Sequence, residues 1–301
     1  MTEQLAGVLP VMQTPFDADE NLDRAAHARL LDWTFDNGAD GIVVAMVSEV
    51  LRLTAAERDE LNAVTAQACE GRGTSVASVG AESTRIAVAH ARTAQAAGAT
   101  ALMATPPMLT RLDEPALRRY FATVIETVDI PVVVQDASGY VGQPLSVELQ
   151  AGLHAEFGDR AMFKPEAHPI GPRITDLLDL TDGKARIFDG TGGLHLVDTH
   201  RRGVVGTMPA ADLIWALSAL WRALEDGDDD RTYAIAGPLA QIVSLQTTLD
   251  SFVVIEKHLL QQQGVLDDPR MRGPVAAGID DHTRAELDRL VVRLRAAVTA
   301  A

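Results

Sequence analysis

Short apolar runs recur along the chain, most of them introduced by Gly, Asp or Pro. They read GVLPVM (7–12), GIVVAM (41–46), SVASVG (75–80), ALMATP (101–106), PVVVQ (131–135), AMFK (161–164), ARIFD (185–189) and GVVGTM (203–208). Most are continuous rather than alternating, the pattern of strands buried on both faces of a parallel sheet. Between them lie stretches with helical spacing, such as LDRAAHARLLDWTFDNG, LTAAERDELNAVTAQACEG, STRIAVAHARTAQAAG and EPALRRYFATVIETV. Several open on a cap: Thr54 with Glu57 three residues later, Ser83 and Asp113. Several close on glycine, at Gly38, Gly71 and Gly98.

Eight strand–helix units predict an α/β fold, a (β/α)8 barrel over residues 1–225. A doubly wound open sheet is the alternative, but no G-x-G-x-x-G follows a strand. After residue 209 the pattern is all-helical: DLIWALSALWRAL, YAIAGPLAQIVSLQTTL, FVVIEKHLLQQQG and HTRAELDRLVVRLRAA. The first closes the barrel. The rest predict a C-terminal helical extension over 226–301, with DGDDD (226–230) as a solvated loop.

The composition narrows the function classes. The chain has 301 residues, 47% of them hydrophobic, and a formal net charge of −16. Nucleic acid is not an expected partner, because binding it needs a clustered basic face. The single cysteine, Cys69, gives neither a disulfide framework nor a thiolate metal cluster and reads as a small buried hydrophobe. No basic leader and no apolar stretch of membrane length is present, so a cytoplasmic protein with no membrane partner is expected.

Barrel enzymes work at the C-terminal ends of their strands. That rule singles out Thr14-Pro15-Phe16, Val47-Ser48-Glu49, Glu82-Ser83, Pro106-Pro107-Met108, Gln135-Asp136, Lys164 with Glu166, Asp189 in DGTGG, and Thr207-Met208. Lysine is scarce: only Lys164, Lys184 and Lys257 occur, and every other fixed cation is arginine. Lys164 alone ends a strand pattern. An amine in a pocket can add to a ketone to form an iminium, which acidifies the neighbouring C–H. Lys-x-Glu on an extended chain puts Glu166 on the same side, placed to take that proton. The competing reading is a plain strand-end ion pair. Ser48 is a hydrogen-bond donor to substrate or a turn residue, and Glu49 a base or a cap of its loop. Val47, Gln135, Pro107, Asp189 and Thr207 are the expected substrate contacts. DGTGG lacks the lysine and spacing of a Walker motif, and no third ligand accompanies His195 and His200. No metal or cofactor is expected.

The segments GVLPVMQTPFDADENLD, GADGIVV, LTAAERDEL, GATALMATPP, PVVVQD, MFKPE and GVVGTMPA, taken in order, resemble the dihydrodipicolinate synthase / N-acetylneuraminate lyase family of Schiff-base barrel enzymes. The likeness spans nearly the whole chain. It implies that Lys164 forms the imine, that the substrate is a small 2-oxo acid, and that the chain assembles as a dimer or tetramer.

The departures from the family pattern redirect the chemistry. Its Gly-Thr-Thr-Gly-Glu segment reads Ala45-Met46-Val47-Ser48-Glu49, so both threonines are gone. The tyrosine after strand four falls on Met108, the tyrosine ending strand five on Gln135, and the aldehyde-recognising arginine on Tyr140. Lysine biosynthesis and sialic acid cleavage in their usual form are therefore not expected. Ser48-Glu49, Pro106-Pro107, Val134-Gln135-Asp136, Phe163-Lys164-x-Glu166 and the tail RGPVAAGIDDHTRAEL together resemble the family's 2-keto-3-deoxy-L-arabonate dehydratase branch. The loops GAEST and DGTGG depart from that branch. The resemblance implies a dehydratase with Lys164 as nucleophile, Glu166 as base, Ser48 aiding loss of the C4 hydroxyl and Gln135 orienting the imine or a hydroxyl. A pyruvate aldolase of the same fold and a non-catalytic 2-oxo acid-binding barrel are the alternatives.

Overall fold

The computed structural model describes residues 5–139 and 142–300. Eight strands alternate with eight helices: β1 Gly7–Val8, α1 Arg24–Asp36, β2 Gly41–Val44, α2 Ala55–Cys69, β3 Thr74–Ser78, α3 Thr84–Ala96, β4 Ala101–Ala104 and α4 Glu114–Thr127. They continue as β5 Val132–Gln135, α5 Val147–Phe157, β6 Ala161–Lys164, α6 Ile170–Leu180, β7 Phe188–Asp189, α7 Leu196–Arg202, β8 Gly206–Thr207 and α8 Ile214–Glu225. Every strand pairing is parallel. One ladder runs β2-β3-β4-β5-β6 and the other β1-β8-β7. Parallel bridges at Val11–Val43 and Phe163–Ile187 join the two ladders into a closed ring. The chain folds as a (β/α)8 barrel.

The strand period of two divides the core into layers. Leu9, Val11, Val43, Ala45, Val76, Met103, Val133, Met162, Phe188 and Met208 fill the barrel interior. Their alternates, among them Val8, Ala77, Leu102, Val132, Val134 and Phe163, pack outward against the helices. Lys164 shares the parity of Met162 and Gln135 that of Val133, so both side chains belong to the inner face at its upper rim.

The helices start where the sequence places their caps. Thr54 and Glu57 form a reciprocal capping box, and Ser83 and Asp113 accept from the third helical amide. Gly38, Gly71 and Gly98 all adopt positive φ after their helices, the conformation that favours glycine.

Three strands are shorter than the apolar runs predict. Runs 7–12, 185–189 and 203–208 yield two-residue strands. Pro10 and Pro209 bring no N–H to the ladder at the β1–β8 seam. The seam is instead carried by single bonds, Leu9 N–H to the Thr207 carbonyl (2.9 Å) and Val11 N–H to the Pro209 carbonyl (2.6 Å). The DGDDD segment also differs from expectation. Asp228 caps the next helix by accepting from the Arg231 N–H (3.0 Å), and Asp229 and Asp230 form its first turn. Negative charge is favoured there by the helix dipole.

Three further helices follow: α9 Asp229–Ser244, α10 Leu249–Gln262 and α11 Asp281–Thr299. Helix α9 packs on α8, and α11 on α9. Helix α10 instead reaches over the barrel mouth to a 3-10 turn at Met46–Ser48 after β2. Among the described residues, no helix is long and apolar enough to cross a membrane. Cys69 is buried, and burial pushes its thiol up to about 12, as suits a small hydrophobe.

Candidate active site

At the upper rim of the barrel, Lys164 Nζ lies 3.2 Å from Glu166 Oε1, and the two side chains are 5% and 4% exposed. The Gln135 amide donates to both Glu166 oxygens, at 3.3 and 3.1 Å. Register explains the meeting: Gln135 and Lys164 are opposed Cα partners at the ends of β5 and β6. Burial pushes the Glu166 carboxyl above its ordinary range, against the pull of Lys164's charge and the bonds from Gln135 and Lys164. Glu166 is thus a carboxylate that holds a proton more readily than one in water, beside an amine.

Lys164 and Gln135 line a narrow cavity of about 40 Å³ with Val11, Val47, Gly190, Met208 and others. Glu166 stands just behind this wall at Gly190, where a Cβ would come within 2.7 Å of Glu166 Oε1 and 2.8 Å of Lys164 Cε. A cavity of this size holds only a few waters. A larger ligand requires its outer lining, which includes Val243 of α9, Gln246 of the segment after it and Phe252 of α10, to give way.

Several expected contacts are arranged otherwise. Ser48 is fully buried; its hydroxyl donates to the Met12 carbonyl and accepts from the Ala45 N–H (3.1 Å). The single hydroxyl proton is spent on the backbone, so Ser48 shapes the turn and does not donate into the cavity. Its own N–H closes on the Ala45 carbonyl (3.0 Å). Val47 does line the cavity. Asp189 and Thr207 have the opposite parity to their inward neighbours Phe188 and Met208. They point outward and bond each other, Thr207 Oγ1 donating to Asp189 Oδ2 at 3.2 Å, with Thr191 and Thr199 also donating to Asp189. Pro107 is buried in the loop after β4, away from the cavity lining. Tyr140 lies outside the described residues.

Glu49 reaches beyond its own loop. It sits in left-handed backbone (φ 56°) and accepts from the fully buried Lys257 of α10 and from the Arg272 N–H (3.2 Å). Lys257 Nζ also donates to the Arg270 carbonyl (2.7 Å) and lies 4.7 Å from the Phe16 ring centre. Burial lowers the Lys257 amine, and Glu49's charge raises it. The pair fastens α10 to the loop after β2.

The strand-end rule missed two acidic residues. Asp212, in the loop after β8, and Glu256 of α10 both line the same cavity. Both are buried, 3% and 1% exposed. A signal was present for Glu256. It falls three residues after Val253 and four after Phe252 and four before Leu260, a charge on an apolar helix face.

Known proteins of similar sequence support a lyase. The L-2-keto-3-deoxyarabonate dehydratase of Azospirillum brasilense is 28% identical over 97% of this chain and 96% of its own length. An uncharacterized DapA-like lyase of Halobacterium salinarum is 30% identical over 94% of this chain and 92% of its own. The 4-hydroxy-tetrahydrodipicolinate synthase of Methylacidiphilum fumariolicum SolV shares the fold with a TM-score of 0.88, covering 98% of both chains at 23% identity. Residues 4–293 match the family model itself, and the chain belongs to the dihydrodipicolinate synthetase family, whose members here are lyases.

Proposed function

We propose that the protein is a hydro-lyase that forms an imine between Lys164 and a 2-oxo-3-deoxy sugar acid, of the 2-keto-3-deoxy-L-arabonate kind, and removes its C4 hydroxyl as water. The observation that carries this reading is the buried Lys164–Glu166–Gln135 cluster, which has no tyrosine beside it among the described residues. Of the two tyrosines among the described residues, Tyr120 bonds the Ala81 backbone and Tyr233 is exposed beside Arg201. Proton transfer beside Lys164 therefore falls to the carboxyl. The activity named for the Azospirillum relative agrees with it.

The steps balance through one residue. Glu166, whose burial favours the protonated form, takes the ammonium proton of Lys164 across their 3.2 Å contact. The neutral amine adds to C2. Glu166 returns its proton as the carbinolamine oxygen leaves as water, giving the iminium. The carboxylate then takes a C3 proton, and the iminium becomes an enamine. The enamine electrons expel the C4 hydroxyl, which leaves as water with the proton from Glu166. Water hydrolyses the resulting conjugated iminium and frees Lys164. Gln135 does not titrate; its amide holds Glu166 facing the amine. The substrate carboxylate meets the turn at Met46 and Val47, where the first amides of a helical turn lack internal acceptors.

The test is borohydride trapping with pyruvate and a panel of 2-keto-3-deoxy acids, read by intact mass and peptide mapping, with products followed in parallel. A Lys164 adduct with water loss and no release of pyruvate is expected. Pyruvate plus an aldehyde would make the enzyme an aldolase, since the C3–C4 bond would then break. No adduct on Lys164 with any acid would end the reading.

A further inference from the structure

Glu256 and Asp212 enter the cavity from outside the strand ends, and neither is bonded to a cation among the described residues. Glu256 Oε2 accepts from the Gln13 amide (2.9 Å), which also reaches the Val11 carbonyl (3.3 Å). Asp212 Oδ2 is buried without a hydrogen-bond partner, and so is Gln135 Oε1, a second polar atom of the same lining. The two buried lysines are paired with other carboxylates, Lys257 with Glu49 and Lys164 with Glu166. Two carboxyls on the wall of one buried cavity cannot both ionise without a large cost. Burial pushes Asp212 up to about 7, against the Asp212 and Leu213 amides. Burial first, then the charge of Asp212 and more weakly that of Glu49, pushes Glu256 well above its ordinary range, against Gln13 and Lys257. An unpartnered polar oxygen in a native interior calls for a ligand or a functional reason.

We propose that Asp212 and Glu256 form a one-proton acid pair that binds a hydroxyl group of the substrate, so that the cavity selects hydroxylated 2-oxo acids over pyruvate and other 2-oxo acids without hydroxyls. This rests on the 2-oxo acid reading of the same cavity. The chemistry of the pair favours a hydroxyl over other groups. A carboxyl beside a carboxylate offers one donor and several acceptors, and a hydroxyl is both donor and acceptor. A second substrate carboxylate would meet a net negative charge. A methyl group would leave buried oxygens unsatisfied. The groups facing the pair are Gln13 from the segment after β1, Lys164 from β6, Lys257 and Phe252 on α10, and Glu49 beyond the turn after β2. None of them supplies a cation bonded to either carboxyl.

The test compares wild type with Asp212→Asn and Glu256→Gln, isosteric changes that remove the charge and keep the volume. A 2-keto-3-deoxypentonate and its hydroxyl-free counterpart, 2-oxopentanoate, are titrated against each protein. Imine trapping by intact mass and calorimetric binding are the two readouts, with folding checked by circular dichroism. Wild type is expected to prefer the hydroxylated acid. The variants are expected to lose roughly 10- to 100-fold of that preference, while half-saturation with 2-oxopentanoate moves far less. Binding of the hydroxylated acid to wild type is expected to weaken as pH rises past 7, where the shared proton is lost. Equal preference in wild type and variants, or no preference in wild type, would overturn the pair's role. An equal loss for both acids would assign the pair to structure alone. A protein that traps nothing on Lys164 would refute the imine reading, and calorimetry with the same two acids would still decide the pair. If neither variant folds, the wild-type preference and its pH profile decide the matter.

Discussion

Lys257 of α10 and Glu49 of the loop after β2 form a fully buried ion pair that joins the C-terminal helices to the barrel mouth. Removing Lys257 leaves the buried Glu49 with only Arg52, 3.9 Å away, as a cation, and removing Glu49 takes from Lys257 its bonded carboxylate. Lys257→Ala is expected to destabilise the fold by about 3–5 kcal/mol. Lys257→Met with Glu49→Gln is expected to recover much of that loss, because no charge is then left buried. Urea unfolding of the three proteins checks this. A single variant as stable as wild type would show that the pair does not hold α10 in place.

Lys164 and Glu166 are expected to separate in their kinetic effects. Lys164→Arg should abolish both adduct formation and turnover, since a guanidinium does not make the imine. Glu166→Gln keeps shape and removes the proton carrier. It should still accumulate some pyruvate adduct while turnover of the preferred acid falls roughly 10²–10⁴-fold, the usual scale for a positioned acid–base group. Turnover near the wild-type rate in Glu166→Gln would exclude the carboxyl from proton transfer.

Gly190 has no side chain where one would strike the reactive pair. An added Cβ would stand 2.7 Å from Glu166 Oε1 and 2.8 Å from Lys164 Cε. The backbone there is not in the left-handed region, so Gly190→Ala should fold. The methyl must displace the ends of two side chains, and a displacement of about 1 Å at reacting groups costs on the order of 10²-fold. A large loss of kcat with a melting temperature near that of wild type is expected. Unchanged kcat would mean that the Lys164–Glu166 geometry tolerates a shift and is not tuned.

The legible part of this molecule follows from periodicity. The continuous apolar runs, helical spacings and caps reveal the barrel, because each strand is buried on both faces and each helix start carries its own signal. The meeting of Lys164, Gln135 and Glu166 at the rim was legible because β5 and β6 are four residues long and end where the apolar run ends. The outward parity of Asp189 and Thr207 was not legible because β7 and β8 hold only two residues each, too few to show which parity faces inward. Ser48 looked like a free donor because the folding of its turn onto the Met12 carbonyl is a tertiary event with no local signature. Asp212 and Glu256 escaped because the strand-end rule searches strands, and these residues come from a loop and from a helix beyond the barrel.

The buried acid pair should also leave a mark on stability. Asp212 has an ordinary value of 3.8 and is pushed up to about 7 in the fold. The folded state therefore binds this proton more tightly than the unfolded state. Its contribution is fully present below 3.8 and is lost as pH rises through about 7, because the ionised form is disfavoured by burial. Glu256 is raised for the same reason and acts in the same direction. Asparagine at position 212 does not ionise, so it escapes this loss. The melting temperature of Asp212→Asn minus that of wild type is expected to increase from pH 5 to about pH 7.5 and then level off. Titrating groups other than Glu256 cancel in the difference; Glu256, which the charge of Asp212 pushes up, is raised less in Asp212→Asn and adds to the same trend. Scanning fluorimetry across pH 5–9 reads it directly. A difference that stays flat over that range, or that falls, would mean that Asp212 is already ionised in the fold and that no proton is shared at the cavity.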